Sequence, residues 1–563
     1  MWKENYNKWL NQPDLDANLK NELQQLNEQE IKEAFNGDLA FGTAGMRGIM
    51  GPGTNRMNIY TLRKANIGYA QFILSLPQGK ERGVAIAYDN RHNSYEFANE
   101  SAKILASFNI KVYLYTSLRP TPQLSFTIRE LNCAGGIVCT ASHNPKEYNG
   151  YKIYDDTGCQ LPPESIEPVI KNIEAVKNIL DFKLNLTSEQ ESLIEYIDSD
   201  LDTLYLEKVK TVQYHQDLAK NIKIVFTPQH GTASIPMKRL FSETGYNCIE
   251  VVEQATADPD FTNTEVANPE DPKAYTLALQ YAKKYDADII LSADPDADRM
   301  GVQVKHNNEY VFLTGNQTGA LLIEYICSSL KQANKFPNKP LVCSTIVTNE
   351  LGNVVARSYG CEVVLSYTGF KFVGQKIKQL CDDDNYDFVF GYEESYGSIV
   401  QSFVRDKDSL QACLTLAEAA NYYQTQGKTL VDVVEELYQK HGAYYDNQEV
   451  LMIPGADGLE KMQNILANLR NNPPQEFAGL KVVKAEDYGN LSRVIAGVSE
   501  PIVGFVQADV LKYFLEDGSW VAIRPSGTEP KCKFYYCVID DTIEKAKLKK
   551  AKLSEAFAKE INN

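Results

Sequence analysis

Four short loops in this chain carry residue types and spacings suited to chemistry on a phosphate. Thr140-Ala-Ser-His-Asn-Pro145 follows an apolar run. A serine at a strand end, in a turn stiffened by Pro145, is placed as a nucleophile or phosphate acceptor. By itself the hexapeptide is also a plain Ser/Asn turn, and a hydrolase elbow is disfavoured because Gly-x-Ser-x-Gly does not occur. Asp294-Pro-Asp-Ala-Asp298-Arg299 follows the buried run 287–293. Three carboxylates at alternate positions of a tight loop repel one another and call for a cation. All-oxygen ligation suits Mg²⁺, Ca²⁺ or Mn²⁺. An EF-hand fails on position, since the sixth residue from Asp294 is Arg299 where glycine belongs and the twelfth is Lys305 where glutamate belongs. An acidic surface turn is the plainer alternative.

The third loop is Gly391-Tyr-Glu-Glu-Ser-Tyr-Gly397, with Arg405-Asp-Lys-Asp408 shortly beyond. Its carboxylates and hydroxyl suit hydrogen bonding to sugar hydroxyls, although alone it could be a capped helix start. The fourth is Arg524-Pro-Ser-Gly-Thr-Glu-Pro-Lys531, followed by Lys533. It offers a guanidinium fork, hydroxyls and accessible N–H groups, a phosphate cradle without Walker geometry, and alone it reads equally as a turn. Gly427-Lys428-Thr429 does not complete a P-loop, because position 422 is Tyr.

The elements that must position these loops alternate along the chain. Strands are expected over Val84–Tyr88, Val112–Tyr115, Gly136–Thr140, Ile222–Phe226, Ile289–Ser292, Leu341–Ile346, Val363–Tyr367 and Phe388–Tyr392. Most are apolar without strict alternation, as in strands buried on both faces. Helices over Asn93–Phe108, Tyr275–Tyr285 and Gly319–Gln332 separate several of them. Repeated β–α units imply α/β domains with parallel or mixed sheets, whose chemistry lies beyond the strand C-termini. Seams are expected in the polar stretch 177–205, near Thr314–Asn316, and after His441–Tyr445, where strands are expected to become sparser. The first ~38 residues read as a helical arm.

A length of 563 residues implies three or four domains. No stretch approaches the ~20 apolar residues of a membrane span, and the polar N-terminus lacks a secretory h-region, so a cytoplasmic protein is expected. The 11 cysteines are scattered and odd in number, which fits buried thiols and no disulfide framework. A net charge of −17 argues against nucleic acid as partner but not against a phosphorylated small molecule.

Together the four loops, in this order, resemble the α-D-phosphohexomutase superfamily. Phe41-Gly-Thr-Ala-Gly-Met-Arg-Gly48 matches its N-terminal signature. The arm, the run 51–58 and Thr368-Gly-Phe-Lys371 look like its phosphoglucomutase/phosphopentomutase branch. The resemblance implies an α/β fold of four domains around a central cleft, three related mixed-sheet α/β domains and a smaller C-terminal α+β one. The expected divisions are 1–200, 201–315, 316–445 and 446–563.

The resemblance implies that phosphorylated Ser142 donates its phosphoryl group to a sugar phosphate, which turns over as a bisphosphate and returns its other phosphate. Mg²⁺ is the implied cofactor, held by Ser142, Asp294, Asp296 and Asp298, with a hexose 1,6-bisphosphate as activator. Lys407, His143, Lys152 and Arg47 are the acid/base candidates; a lysine can serve where positive neighbours and burial lower its pKa. Thr43, Arg299, Lys371, Glu393, Ser395, Arg524, Ser526, Gly527, Thr528 and Lys533 are the expected substrate contacts. The GxEES form of the sugar loop is similar to that of glucose enzymes, which favours glucose 1- and 6-phosphates. A phosphopentomutase acting on ribose phosphates, a metal-dependent sugar phosphatase and a non-enzymatic binding protein are the alternatives. The expected state is a monomer or weak homo-oligomer with no membrane partner.

Overall fold

The computed structural model describes residues 2–42, 45–382, 385–452, 458–525 and 531–562. Three of its sheets repeat one plan. The first has six strands in the order Met46–Ile49, Tyr148–Tyr154, Gly135–Cys139, Val84–Tyr88, Val112–Tyr115, Ile194–Ile197. The second runs Glu309–Leu313, Met300–His306, Ile289–Ala293, Lys223–Thr227, Asn247–Glu250, and the third Glu362–Ser366, Pro340–Thr345, Asp387–Tyr392, Ser398–Ile399. In each, a parallel set ends at one strand that turns back into an antiparallel neighbour. The serine loop, the aspartate loop and the sugar loop are those three turns.

The central parallel strands form where expected because most of their residues are apolar. Val84–Tyr88, Gly135–Cys139 and Ile289–Ala293 are buried at every position, which only a sheet covered on both faces provides. The expected helices lie at Ser94–Ser107, Thr276–Tyr285 and Gly315–Gln332, the last capped by Thr314 and Gln317 acting on each other's main chain.

Two sequence expectations fail. The stretch 177–205 contains a strand, Ile194–Ile197, parallel to Val112–Tyr115. As an edge strand with two exposed residues it needs no apolar run. The region beyond 441–445 is dense in strands: an eight-stranded sheet built from antiparallel pairs runs from Ala443–Met452 to Lys531–Asp540. Its strands were illegible because many of their residues face solvent, as in Leu480–Asp487 and Val498–Pro501, so no continuous apolar run marks them.

The N-terminal arm forms three helices, Trp2–Leu10, Ala17–Gln25 and Glu28–Phe35. Trp9 meets Phe35 and Tyr60 edge-on at ring separations of 5.7 and 5.2 Å, seating the arm on the first sheet's layer. One buried apolar cluster runs continuously from Tyr205 through the second and third sheets to Trp520 and Cys537. It packs the second and third sheets together, whereas the first sheet keeps clusters of its own.

Where the second sheet meets the aspartate loop, the backbones nearly touch. Thr232 N–H donates to Pro295 O at 2.8 Å, and a Cβ on Gly231 would stand 2.3 Å from Pro295 Cα. Gly231→Ala is therefore expected to cost about 2 kcal/mol in urea unfolding and to weaken divalent-cation binding by moving the aspartate loop. Unchanged stability and unchanged cation affinity would show that the two loops are not in register.

Candidate active site

Ser142 sits in the turn after Gly135–Cys139 with φ of +53°, a left-handed conformation unusual for a serine. Its N–H donates to Thr140 Oγ1 at 2.8 Å. The guanidinium of Arg91, from the loop after Val84–Tyr88, donates to Ser142 O at 2.6 Å. So held, the side chain points out of its own sheet into the second: Ser142 Oγ donates to Asp294 Oδ2 at 2.8 Å and lies 3.1 Å from His143 Nδ1.

Asp294, Asp296 and Asp298 are all buried, with ligand atoms within 4.8 Å of one another. Asp294 Oδ1 accepts from the N–H groups of Asp298 and Arg299, which folds the loop around it. Asp296 Oδ2 accepts from Lys152 Nζ at 2.9 Å and Thr121 Oγ1 at 3.1 Å. Burial, then Asp298 and Asp296, push the Asp294 carboxyl well above its ordinary range. Burial acts the same way on Asp296, but Lys152 overrides it and holds that carboxylate well below. One oxygen each of Asp296 and Asp298 is buried without a hydrogen-bond donor. Converging carboxylates with bare oxygens fit a hard divalent cation, which would relieve their repulsion.

A ring of cations and anions encloses this cluster. Lys407 Nζ lies 3.2 Å from Asp298 Oδ2 and 3.6 Å from Glu393 Oε1, so it spans the aspartate and sugar loops. A Cβ on Gly397 would fall 2.0 Å from Lys407 Cδ, so the loop needs glycine there. Residues 299 and 397 form an isolated antiparallel bridge, and Met300 N–H donates to Tyr396 O at 3.1 Å. Burial would lower the Lys407 ammonium, but Asp298, Glu393 and Asp406 outweigh it and raise it above the ordinary lysine value. The condition for a lysine base, positive neighbours that lower its pKa, is not met here, because the groups nearest Lys407 are carboxylates. His143 shifts the other way: burial, then Arg299 and Arg47, keep its ring neutral.

The remaining candidates line the surroundings. Arg299 is ion-paired to Glu270. Arg47 donates to Asn144 Oδ1 at 2.8 Å at the mouth of the serine loop. Ser395 is half-buried on the turn beside Glu393. Arg524 and Lys533 face each other across paired strands. Burial lowers Lys533, whose charged neighbours are Glu270, Arg524, Glu394 and Arg299. Lys371 opens the helix Phe370–Cys381, and its carbonyl accepts from Cys159 Sγ at 3.4 Å across the wall between the first and third sheets. Thr43, Ser526, Gly527 and Thr528 lie outside the described residues.

Sequence reasoning missed Arg91, Thr121, Glu270 and Asp406. Asp89-Asn-Arg91 directly after a fully buried strand was the available signal for the first. Tyr392 and Tyr396, which flank the sugar loop, both point into the core: Tyr392 packs on Phe390 with ring centres 5.7 Å apart, and Tyr396 Oη donates to Leu313 O at 3.0 Å.

The geometry can be set beside known proteins. Four consecutive models of the phosphoglucomutase/phosphomannomutase family match the chain: α/β/α domain I over 38–179, domain II over 203–307, domain III over 314–441, and the C-terminal domain over 465–549. The chain belongs to this phosphohexomutase family. Among family members, the phosphoglucomutase of Staphylococcus aureus strain MRSA252 is 36% identical over 539 residues, covering 94% of this chain and 96% of its own. The fold is shared with the open form of pp63/parafusin, a phosphoglucomutase from Paramecium, at a TM-score of 0.67 and 18% identity, covering 93% of this chain and 94% of that one. It is shared too with a phosphoglucomutase/phosphomannomutase family protein of Burkholderia thailandensis, at 0.66 and 18%, covering 92% and 95%. The family's four-domain architecture, three mixed α/β sheets and a C-terminal domain, is the one seen here.

Lys371 gives a test of the site's electrostatics. Burial lowers its ammonium to about 8 from an ordinary 10.5. Below pH 8 the folded and unfolded chains both carry the proton, so the cost of burying the charge is felt in full. Between 8 and 10.5 the folded state sheds the proton first and that cost fades. Lys371→Met should therefore stabilise the protein at pH 7 by on the order of 2 kcal/mol, a gain that shrinks as pH rises past 8. Urea unfolding at pH 7 and pH 10 measures it, and a pH-independent difference would refute the burial of a charged Lys371.

Proposed function

We propose that this family member is a phosphoglucomutase that interconverts glucose 1-phosphate and glucose 6-phosphate, with Ser142 as standing phosphate carrier. The observation that supports this most is the 2.8 Å contact of Ser142 Oγ with Asp294 inside a buried triple-carboxylate loop. A serine poised on a cation site, with a sugar-reading loop fused to that site through Lys407, suits phosphoryl transfer to a hydroxyl. Transfer of this kind depends on positioning and charge neutralisation.

Each half of the cycle balances in the same way. A sugar hydroxyl oxygen attacks the phosphorus of phosphorylated Ser142, the Oγ–P bond breaks as the new O–P bond forms, and the hydroxyl proton ends on Ser142 Oγ. After the bisphosphate turns over, Ser142 Oγ attacks the other phosphate, the sugar O–P bond breaks, and the serine proton ends on the freed sugar oxygen. His143, kept neutral and 3.1 Å from Oγ, is placed to hold that proton in transit. Lys407, kept charged, is placed to donate toward the sugar oxygen and steady the transferring group. Lys152 offsets Asp296, while Arg47 and Arg299 add positive charge around the reacting phosphate.

Mg²⁺ bound by Asp294, Asp296, Asp298 and the serine phosphate would polarise the phosphoryl oxygens and offset their charge. Glu393 and Ser395 would read two sugar hydroxyls, Arg524, Lys533, Lys371 and the 526–528 segment would hold the phosphate that is not reacting, and Thr43 is the remaining proposed substrate contact. A hexose 1,6-bisphosphate would recharge a Ser142 that has lost its phosphate. We place the domain divisions near 200, 315 and 445, and take the enzyme to work in the cytosol as a monomer or weak homo-oligomer. Among the described residues no helix is long and apolar enough to cross a membrane.

Ser142→Ala is expected to abolish mutase turnover while the unfolding midpoint stays within a few degrees of the parent, since it removes one hydroxyl and leaves the main-chain hydrogen bonds that hold the loop. Activity comparable to the parent would remove Ser142 from the mechanism. Substrate choice is tested by kcat/KM for glucose 1-phosphate against ribose 1-phosphate, with free phosphate followed in parallel. Glucose should be favoured by at least about tenfold, roughly what one extra well-placed hydroxyl contact supplies, with no phosphate released. A ribose preference would make the enzyme a phosphopentomutase, and stoichiometric phosphate release a phosphatase.

A further inference from the structure

Strands Val84–Tyr88 and Gly135–Cys139 are parallel neighbours with Tyr88 opposite Cys139, so the loops that follow them lie side by side. The serine loop has few side chains of its own to hold it. Its main chain leans on one residue of the other loop. Arg91 donates through Nη2 to Ser142 O and Asn144 O and through Nη1 to Pro145 O and Tyr148 O. The guanidinium is buried, with Asp89 Oδ2 3.3 Å from its Nε and the Phe261 ring centred 5.1 Å from Cζ. Asp89 is fixed in turn, because its Oδ1 accepts from Arg91 N–H at 3.0 Å and Ser94 Oγ at 2.6 Å.

Resting on the phosphoglucomutase reading above, we propose that Arg91 is a positioning residue for phosphoryl transfer, clamping the carbonyl of the phosphate carrier and those of the turn that follows it so that Ser142 keeps its left-handed backbone and aims Oγ at Asp294. Four carbonyls turned inward at one point need donors in a plane, and a left-handed serine persists only where its surroundings over-determine it. A guanidinium supplies that planar fork; an ammonium supplies a point charge with three donors and cannot serve four acceptors in this arrangement. Arg91 reaches no atom of the aspartate cluster by hydrogen bond. Its effect is on where Oγ stands, and a displacement of about 1 Å at a reacting atom costs on the order of 100-fold in rate.

The test is Arg91→Lys and Asp89→Asn in the full-length enzyme with Mg²⁺. The measurements are kcat per phosphorylated site, KM for glucose 1-phosphate, phosphoserine content by intact mass after incubation with glucose 1,6-bisphosphate, and thermal unfolding. R91K should lose on the order of 100-fold in kcat per phosphorylated site with KM within about threefold, since the sugar-reading residues are untouched. D89N keeps the guanidinium but removes its counter-ion and should lose about tenfold in the same parameter. A merely structural Arg91 would lower the yield of folded enzyme and leave kcat per phosphorylated site near that of the parent. That result in R91K, or in D89N if R91K does not fold, overturns the proposal. A parent enzyme that never acquires phosphoserine would instead overturn the phosphoglucomutase reading and is seen before any variant is made.

Discussion

Three carboxylates crowded into a buried loop cannot exist on their own terms. Each raises the free energy of the others, and burial removes the water that would screen them. The cations around them answer that cost: Lys152 reaches in from the first sheet, Lys407 from the third, and Arg299 from the loop itself, tied back by Glu270. No single sheet supplies enough counter-charge, so the cluster fixes where three sheets meet. Ser142 Oγ enters the same field from the first sheet. The electrostatics and the architecture are thus one constraint.

The repeated plan of the three α/β sheets is the geometric counterpart. In each, the strand that ends the parallel set turns back on itself, and the turn carries the working side chains. A turn between two paired strands of a sheet is anchored at both ends by ladder hydrogen bonds, more firmly than a loop that wanders to a helix. The fourth loop joins Trp520–Pro525 to Lys531–Asp540, also antiparallel partners. Three such reversals meet around the aspartate cluster.

This explains what was legible in the sequence. The buried parallel strands announce themselves through apolar runs, and the turns through the abrupt polar residues that follow, so the three turns could be placed; singling out Ser142, Asp294, Asp296, Asp298 and Glu393 within them took the four loops together. Ile194–Ile197 and most of the C-terminal sheet could not, because half-exposed strands resemble loops in composition. Glu270 was invisible for another reason, and Arg91 offered only its place just after a buried strand. Their significance lies in partners about 50 and 29 positions away along the chain, and a lone arginine or glutamate carries no local sign of what it will meet. For Lys407 the condition set on a lysine base, positive neighbours that lower its pKa, is not met. Nothing in Arg405-Asp-Lys-Asp408 reveals that carboxylates from two other loops converge on it.

Consider finally the glycine at 397, which leaves room for the Lys407 stem against the sugar loop. The same lysine then borders both the residue that would sense the sugar and the carboxylate that would hold the metal. A change at the sugar loop is therefore felt at the reacting centre without any movement of the chain as a whole. In evolutionary terms, the turns can diverge in sequence while their sheets keep register, yet the third turn is not free to do so alone. Lineages that alter the sugar they accept should carry matching changes at the lysine or its neighbours, a signature of coupled drift that comparative sequences could record.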